Sequence, residues 1–102
     1  MFERVRRGRT ARAAAPATCE HLAAAAGLEP PPARTEGCEE CLAQGTTWVH
    51  LRVCVSCGHV GCCDSSPWRH ATGHFSASEH PVMQSHEAGE SWRWCYPDER
   101  LG

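Results

Sequence analysis

Two Cys-x2-Cys turns, Cys38/Cys41 and Cys54/Cys57, lie within twenty residues of each other in a chain of 102 residues that carries eight cysteines and seven histidines. A turn of that length aims both sulfurs at one point, which is half of what a tetrahedral zinc ion takes from four nitrogen or sulfur donors. One such turn is a weak signal, whereas two so close together in a Cys- and His-rich chain are a strong one. Further donors follow downstream at Cys62, His70, His74 and His80. On a helix, His70 and His74 share a face and point back toward the cysteine turns. Cys19 and His21 form a third set, which closes only with Cys95 and one more donor near the C-terminus. A disulfide framework would account for the cysteines but leave histidines at matching intervals without a role, so the spacing favours metal.

Charge narrows the functional classes. Residues 1–17 hold Arg4, Arg6, Arg7, Arg9 and Arg12 against Glu3 alone, a balance of +4, and the other 85 residues hold five arginines against eleven acids, a balance of −6. Nucleic-acid binding rests on clustered positive charge, so an acidic body argues against it. The Arg/Ala-rich stretch 1–17 has no hydrophobic period and is expected to be a disordered tail, leaving 18–102 as the folded domain. No apolar run approaches the roughly 20 residues that span a bilayer, and the tail lacks the apolar centre of a secretory signal. The expected location is the cytoplasm, where thiols stay reduced. All ten basic residues are arginine, and with the Ala/Gly/Pro bias this points to a GC-rich, bacterial coding sequence.

Local pattern gives the expected elements. Thr46 to Val53 is β-branched and aromatic with rough alternation and reads as a strand, returning through the Cys54–Cys57 turn into a second strand, His59 to Cys62. Ser66-Pro67 has the form of an N-cap followed by proline at the first helical position, which predicts one main helix running to Ser78. Pro81 to His86 and Ser91 to Tyr96 read as two more strands, and the three prolines Pro30 to Pro32 keep the loop 27–37 irregular. The fold class expected is α+β, with a short twisted antiparallel sheet, one main helix and interleaved zinc sites. So few large side chains give a thin core, and metal must supply the missing stability.

The order C-x-H, C-x2-C, C-x2-C-x4-C, H-x3-H-x5-H and then Trp94-Cys95-Tyr96 resembles the UBP-type zinc finger, a family found in deubiquitinating enzymes, in a histone deacetylase and as free-standing bacterial proteins. The resemblance covers about residues 18–100. It implies one zinc held by Cys38, Cys41, Cys62 and His70, and a second held by Cys54, Cys57, His74 and His80. The third would take Cys19, His21 and Cys95, with Asp98 standing where three-zinc members carry another cysteine. Three zinc ions are therefore expected, and at least two. Should Asp98 not bind, Glu99, His86 or a water completes the third site. Cys63, beside Cys62, is expected to be a buried or mildly reactive thiol, and His50, His59 and His86 to lie outside the ligand sets.

The resemblance also implies a non-catalytic module that binds a protein tail. In the family the free C-terminal tail of ubiquitin enters a narrow aromatic pocket and an arginine anchors it. Trp94 and Tyr96 match the aromatic positions, but Asp64 stands in place of the arginine and Arg52 in place of a further aromatic. A carboxylate at that point repels a terminal carboxylate, so ubiquitin-tail binding in that mode is not expected. Arg52, Arg69 or Arg93 could substitute the positive charge, or a ligand with an amine or a basic tail could meet Asp64, Trp94 and Tyr96. Closed four-ligand sites carry no open position for catalysis. The other reading is a zinc/thiol redox regulator, because His50-x3-Cys54-x2-Cys57 also has the spacing of zinc-bound anti-sigma factors and Cys63 supplies a spare thiol.

Overall fold

The computed structural model describes residues 19–102; the tail expected over 1–17 lies outside them. The elements run α1 (Glu20–Ala25), α2 (Glu39–Gln44), β1 (Leu51–Cys54), β2 (Val60–Cys62), α3 (His70–Ser78), β3 (Val82–Ser85), β4 (Arg93–Cys95) and β5 (Arg100–Leu101). The five strands form one antiparallel sheet in the order β2-β1-β3-β4-β5. The fold is α+β, with α3 as its main helix.

Strand periodicity divides the sheet into two working faces. Cys54 pairs with Met83, Met83 with Trp94 and Trp94 with Leu101, so these four form a row on one face. Arg52 and its partner Gly61 lie on that face as well, and α3 packs over β1 and β2. The opposite face carries Val82 into a small cluster with Ala25, Val55 and Leu22 beneath α1. Arg93 fastens α1 there, donating to the carbonyls of Ala25 and Leu28 and to Gln84.

The core is made largely of sulfur. Cys38, Cys41, Cys62 and Cys95 are all 0% exposed, and with Val60 they are the largest fully buried side chains. Trp48 and Leu51 pack against the first three. Burial of a few valines and alanines would leave so small a domain marginal. A structural zinc site contributes on the order of 10–16 kcal/mol of apparent folding free energy, enough to change that outcome.

Helix starts depart from the sequence reading. α3 begins at His70, not at Ser66-Pro67, with Arg69 in the left-handed region at φ 48°. The Ser66 hydroxyl is buried and accepts from the Val49 N–H at 2.8 Å instead of capping a helix. The first strand begins at Leu51, five residues later than expected. The Cys38–Cys41 turn opens a helix: the Cys38 sulfur accepts from the Cys41 N–H, and α2 continues to Gly45, whose φ of 75° ends it. Cys19 caps α1 in the same way. The short strand β5 was not foreseen.

Candidate functional site

Three groups of four donors assemble from distant parts of the chain: Cys38, Cys41, Cys62 and His70; Cys54, Cys57, His74 and His80; and Cys19, His21, Cys95 and Asp98. Within each group the donor atoms lie within 4.8 Å of one another. In the first, His70 Nδ1 is 3.2, 3.4 and 3.5 Å from the sulfurs of Cys38, Cys41 and Cys62. In the second, Cys54 Sγ is 3.5 Å from His80 Nδ1 and Cys57 Sγ is 3.4 Å from His74 Nε2. In the third, His21 Nδ1 is 3.4 Å from Cys95 Sγ and 3.2 Å from an Asp98 oxygen.

These separations fit the ion. Zinc bonds of about 2.3 Å to sulfur and 2.0–2.1 Å to nitrogen, at tetrahedral angles, set sulfur and nitrogen roughly 3.5 Å apart. All eight cysteines are free, so no disulfide competes for them. Each cluster could hold zinc, and two of them use four sulfur or nitrogen donors with no carboxylate. Burial pushes the Cys38 thiol up to about 12, that of Cys95 up to about 11, and raises that of Cys54. Zinc binding must therefore displace protons, which couples affinity to pH. Hydrogen bonds from Cys19 and then His21 hold the Asp98 carboxyl below its usual range.

Several histidines sort themselves by position. His50 is exposed and outside the Cys54/Cys57 group, which takes His74 and His80 instead. His86 is exposed beyond the end of β3, and Glu99 lines the cavity and is not among the donors of the third group. His59 is 2% exposed and lies between two clusters. Its Nε2 meets the Glu40 carboxylate at 2.8 and 3.0 Å, Glu40 being part of the Cys38–Cys41 turn. Its ring stacks on His74 at 4.0 Å, 5° from parallel. Burial and then the neighbouring His59 and His80 charges bring His74 down to about 4, favouring the neutral, ligating form. This brace had no spacing signature in the sequence.

Between α3 and the sheet face opens a cavity of about 530 Å³. Asp64, Trp94 and Tyr96, the three residues expected to form a pocket, all line it. So do Arg52, Phe75, Trp92 and Glu99. Trp92, Trp94 and Tyr96 alternate along β4 and its flanks onto that one face, a period-2 signal that was available in the sequence. Arg52 places its guanidinium 4.5 Å over the Trp92 ring, whereas Arg93 is turned to α1 and Arg69 is outside the cavity lining. Tyr96 stacks on Phe75 at 4.7 Å, and burial raises its hydroxyl to about 12. Cys63 also lines the cavity, outside every donor group. Burial pushes its thiol up, but hydrogen bonding to Ser66 and to the backbone of Ser65 and His50, with the Arg52 charge, brings it down to about 7.

Donor sets of this kind, spread over a short antiparallel sheet and its helices, define a zinc finger, a domain ordered around metal. The family profile described as "Zn-finger in ubiquitin-hydrolases and other protein" matches residues 38–101. The chain belongs to that UBP-type zinc-finger family. Cys19 and His21 of the third cluster fall outside the matched span. A Rhodopseudomonas palustris protein solved by solution NMR is 48% identical, with a TM-score of 0.72 over 85% of this chain and 82% of the other. No curated protein matches the chain. Among the described residues, no helix is long and apolar enough to cross a membrane.

Proposed function

We propose that this is a non-catalytic module in which three closed zinc centres hold a cavity that binds a protein tail. The ligands would be the three groups of four, with Asp98 completing the third. Each group offers four protein donors, leaving no coordination position for a reactive water. A reducing compartment such as the cytoplasm suits so many thiolate ligands.

One observation carries this reading: the cavity walls are the sequence neighbours of the metal donors. Cys63 and Asp64 follow Cys62, Ala71 follows His70, Phe75 follows His74, Trp94 and Tyr96 flank Cys95, and Glu99 follows Asp98. Fixing the donors therefore fixes the walls. Preorganised aromatic surface gives a peptide contact area at low ordering cost, and a cavity within the roughly 300–1,000 Å³ range of ligand sites has room for a chain end.

Two measurements test the two parts. Native mass spectrometry of the reduced protein should count three zinc ions, falling to two in Asp98→Ala; two in both would remove Asp98 and its cluster. NMR titration of the zinc-loaded protein with a panel of short peptide tails should shift resonances of Trp94, Tyr96 and Phe75. Trp94→Ala should abolish the shifts while the zinc count holds. Shifts that survive Trp94→Ala would overturn the assignment of the cavity.

A further inference from the structure

The charged groups facing the cavity are Arg52, Asp64 and Glu99, and they are not equally available. Arg52 is engaged inside the protein: its guanidinium lies on Trp92 and donates to the Leu51 carbonyl at 2.9 Å. It also helps hold the nearby Glu90 carboxyl low, after hydrogen bonds from Ser85 and Trp92. Asp64 is exposed and accepts one hydrogen bond, from the Thr72 hydroxyl at 2.6 Å. Glu99 is exposed, and its backbone sits in the left-handed region at φ 53°. The ion pairs His21–Asp98, Arg34–Glu39 and His59–Glu40 use neither carboxylate. The cavity thus presents two acids beside aromatic rings, with its one cation already stacked.

We propose that the cavity takes an arginine side chain from a basic peptide tail, its guanidinium paired with Asp64 and Glu99 and its stem laid along Trp94. This rests on the cavity being the binding site. A guanidinium is planar and weakly hydrated, stacks on aromatic faces, and forks onto carboxylates, where an ammonium is a compact and strongly hydrated point charge. Arg52 on Trp92 shows that pairing within the same cavity. The three methylenes of an arginine cover apolar wall while its head reaches the rim. A tail ending in a carboxylate meets two acids there and is repelled. The −6 balance of residues 18–102 adds attraction at long range for a basic partner.

The test uses the zinc-loaded full chain and three capped peptides, followed by calorimetry and by tryptophan fluorescence, since Trp92 and Trp94 line the cavity. One is an alternating Ala/Arg pentamer with both ends blocked. The second is identical with citrulline for arginine, and the third is blocked only at its N-terminus and ends in Gly-Gly with a free carboxylate. The arginine peptide should bind at least about tenfold more tightly than the citrulline peptide, with affinity falling as salt rises. Asp64→Asn and Glu99→Gln should each weaken it several-fold while the native-mass zinc count stays unchanged. A carboxylate-ended peptide that binds best, and better still to Asp64→Asn, would overturn the inference and leave the cavity reading standing. Arginine and citrulline peptides that bind equally, both abolished by Trp94→Ala, would also overturn the inference and spare the cavity. If none of the three binds a fully zinc-loaded protein, both readings fall.

Discussion

Gly61→Ala is the substitution for which the structure gives the sharpest expectation. Gly61 pairs with Arg52 in the sheet and lies directly beneath the first turn of α3. A Cβ there would stand 2.6 Å from the Ala71 nitrogen, 2.7 Å from the Ala71 Cα and 2.9 Å from His59 Cε1. Carbon atoms in contact prefer about 3.5–4.0 Å, so the helix must retreat by roughly 1 Å or β2 must buckle. Neither is free to do so. Cys62 on the strand and His70 on the helix belong to one donor group and His74, a turn later, to another, and metal geometry tolerates only about 0.2 Å. Overpacking typically costs about 1–3 kcal/mol, and collision with the α3 backbone and the buried His59 ring places this site at the upper end. For a domain of this size, about 2–3 kcal/mol lowers the melting temperature by roughly 8–24 °C. Gly73→Ala is the control: on the exposed side of α3, with nothing within 4 Å of the added Cβ, it should gain about 0.5–1 kcal/mol from helix propensity. Melting is to be followed by circular dichroism at one fixed free-zinc concentration, because bound metal itself shifts the midpoint. A Gly61→Ala protein that melts as high as wild type would refute the packing argument.

Three further outcomes are expected. His59→Ala leaves the Glu40 carboxylate without its partner and opens space against the His74 ring; a stability loss of about 1–3 kcal/mol should come with faster zinc transfer to a colorimetric chelator. An unchanged transfer rate would show that the brace does not hold the clusters. Tyr96 is the only tyrosine, so ultraviolet titration of the native protein should give a tyrosinate midpoint near 12. The unfolded chain ionises near 10, so this contribution is intact below pH 10 and about 2–3 kcal/mol is lost as pH rises to 12; a midpoint of 10 would contradict its burial. Iodoacetamide on the zinc-loaded protein should modify no thiol but Cys63, and that one slowly because it is buried in the cavity wall, whereas all eight should react after chelation and denaturation. A second modified site before chelation would expose an incomplete donor set.

What was legible in the sequence follows from where the information resides. Ligand spacing is local: each Cys-x2-Cys turn marks a pair of donors, but which histidine joins which pair is what the family resemblance implies, since His70 and His74 share a helix face yet fall in different groups. Helix starts were not legible because capping came from elsewhere. α3 begins where the Cys62 sulfur, at the end of β2, accepts the His70 N–H at 3.2 Å, and no propensity scale registers a thiolate as a remote cap. Ser66, with every local feature of an N-cap, is diverted to Val49. α2 and α1 are six residues each, too short to show a period, and are N-capped by a cysteine. The strand reading ran long because Thr46–His50 has strand composition but no ladder partner. Trp48 there instead packs on Gly37, where a Cβ would stand 2.6 Å from its ring. The alternation of Trp92, Trp94 and Tyr96 was readable, but Phe75 and Glu99 join them only through the helix crossing and the β4–β5 turn.

Because the donors and the cavity walls are neighbours along the chain, metal and ligand occupancy are expected to be linked. A ligand that binds only the ordered cavity lowers the free energy of the metal-loaded state by RT ln(1 + [L]/Kd), about 2.7 kcal/mol at a hundredfold excess over Kd. Linkage makes the effect reciprocal, so the bound peptide must strengthen zinc retention by the same factor that zinc strengthens peptide binding. Asp98 and Glu99 localise where this should be greatest. One falls in the third donor group and the next lines the cavity, and that group carries the one carboxylate donor, a harder ligand than thiolate. The third zinc should therefore leave first under chelation, and a saturating peptide should slow its departure more than that of the other two, resolved as successive mass losses in native spectra. Zinc loss in a peptide-independent order would mean that the cavity and the third centre are coupled in sequence but not in energy.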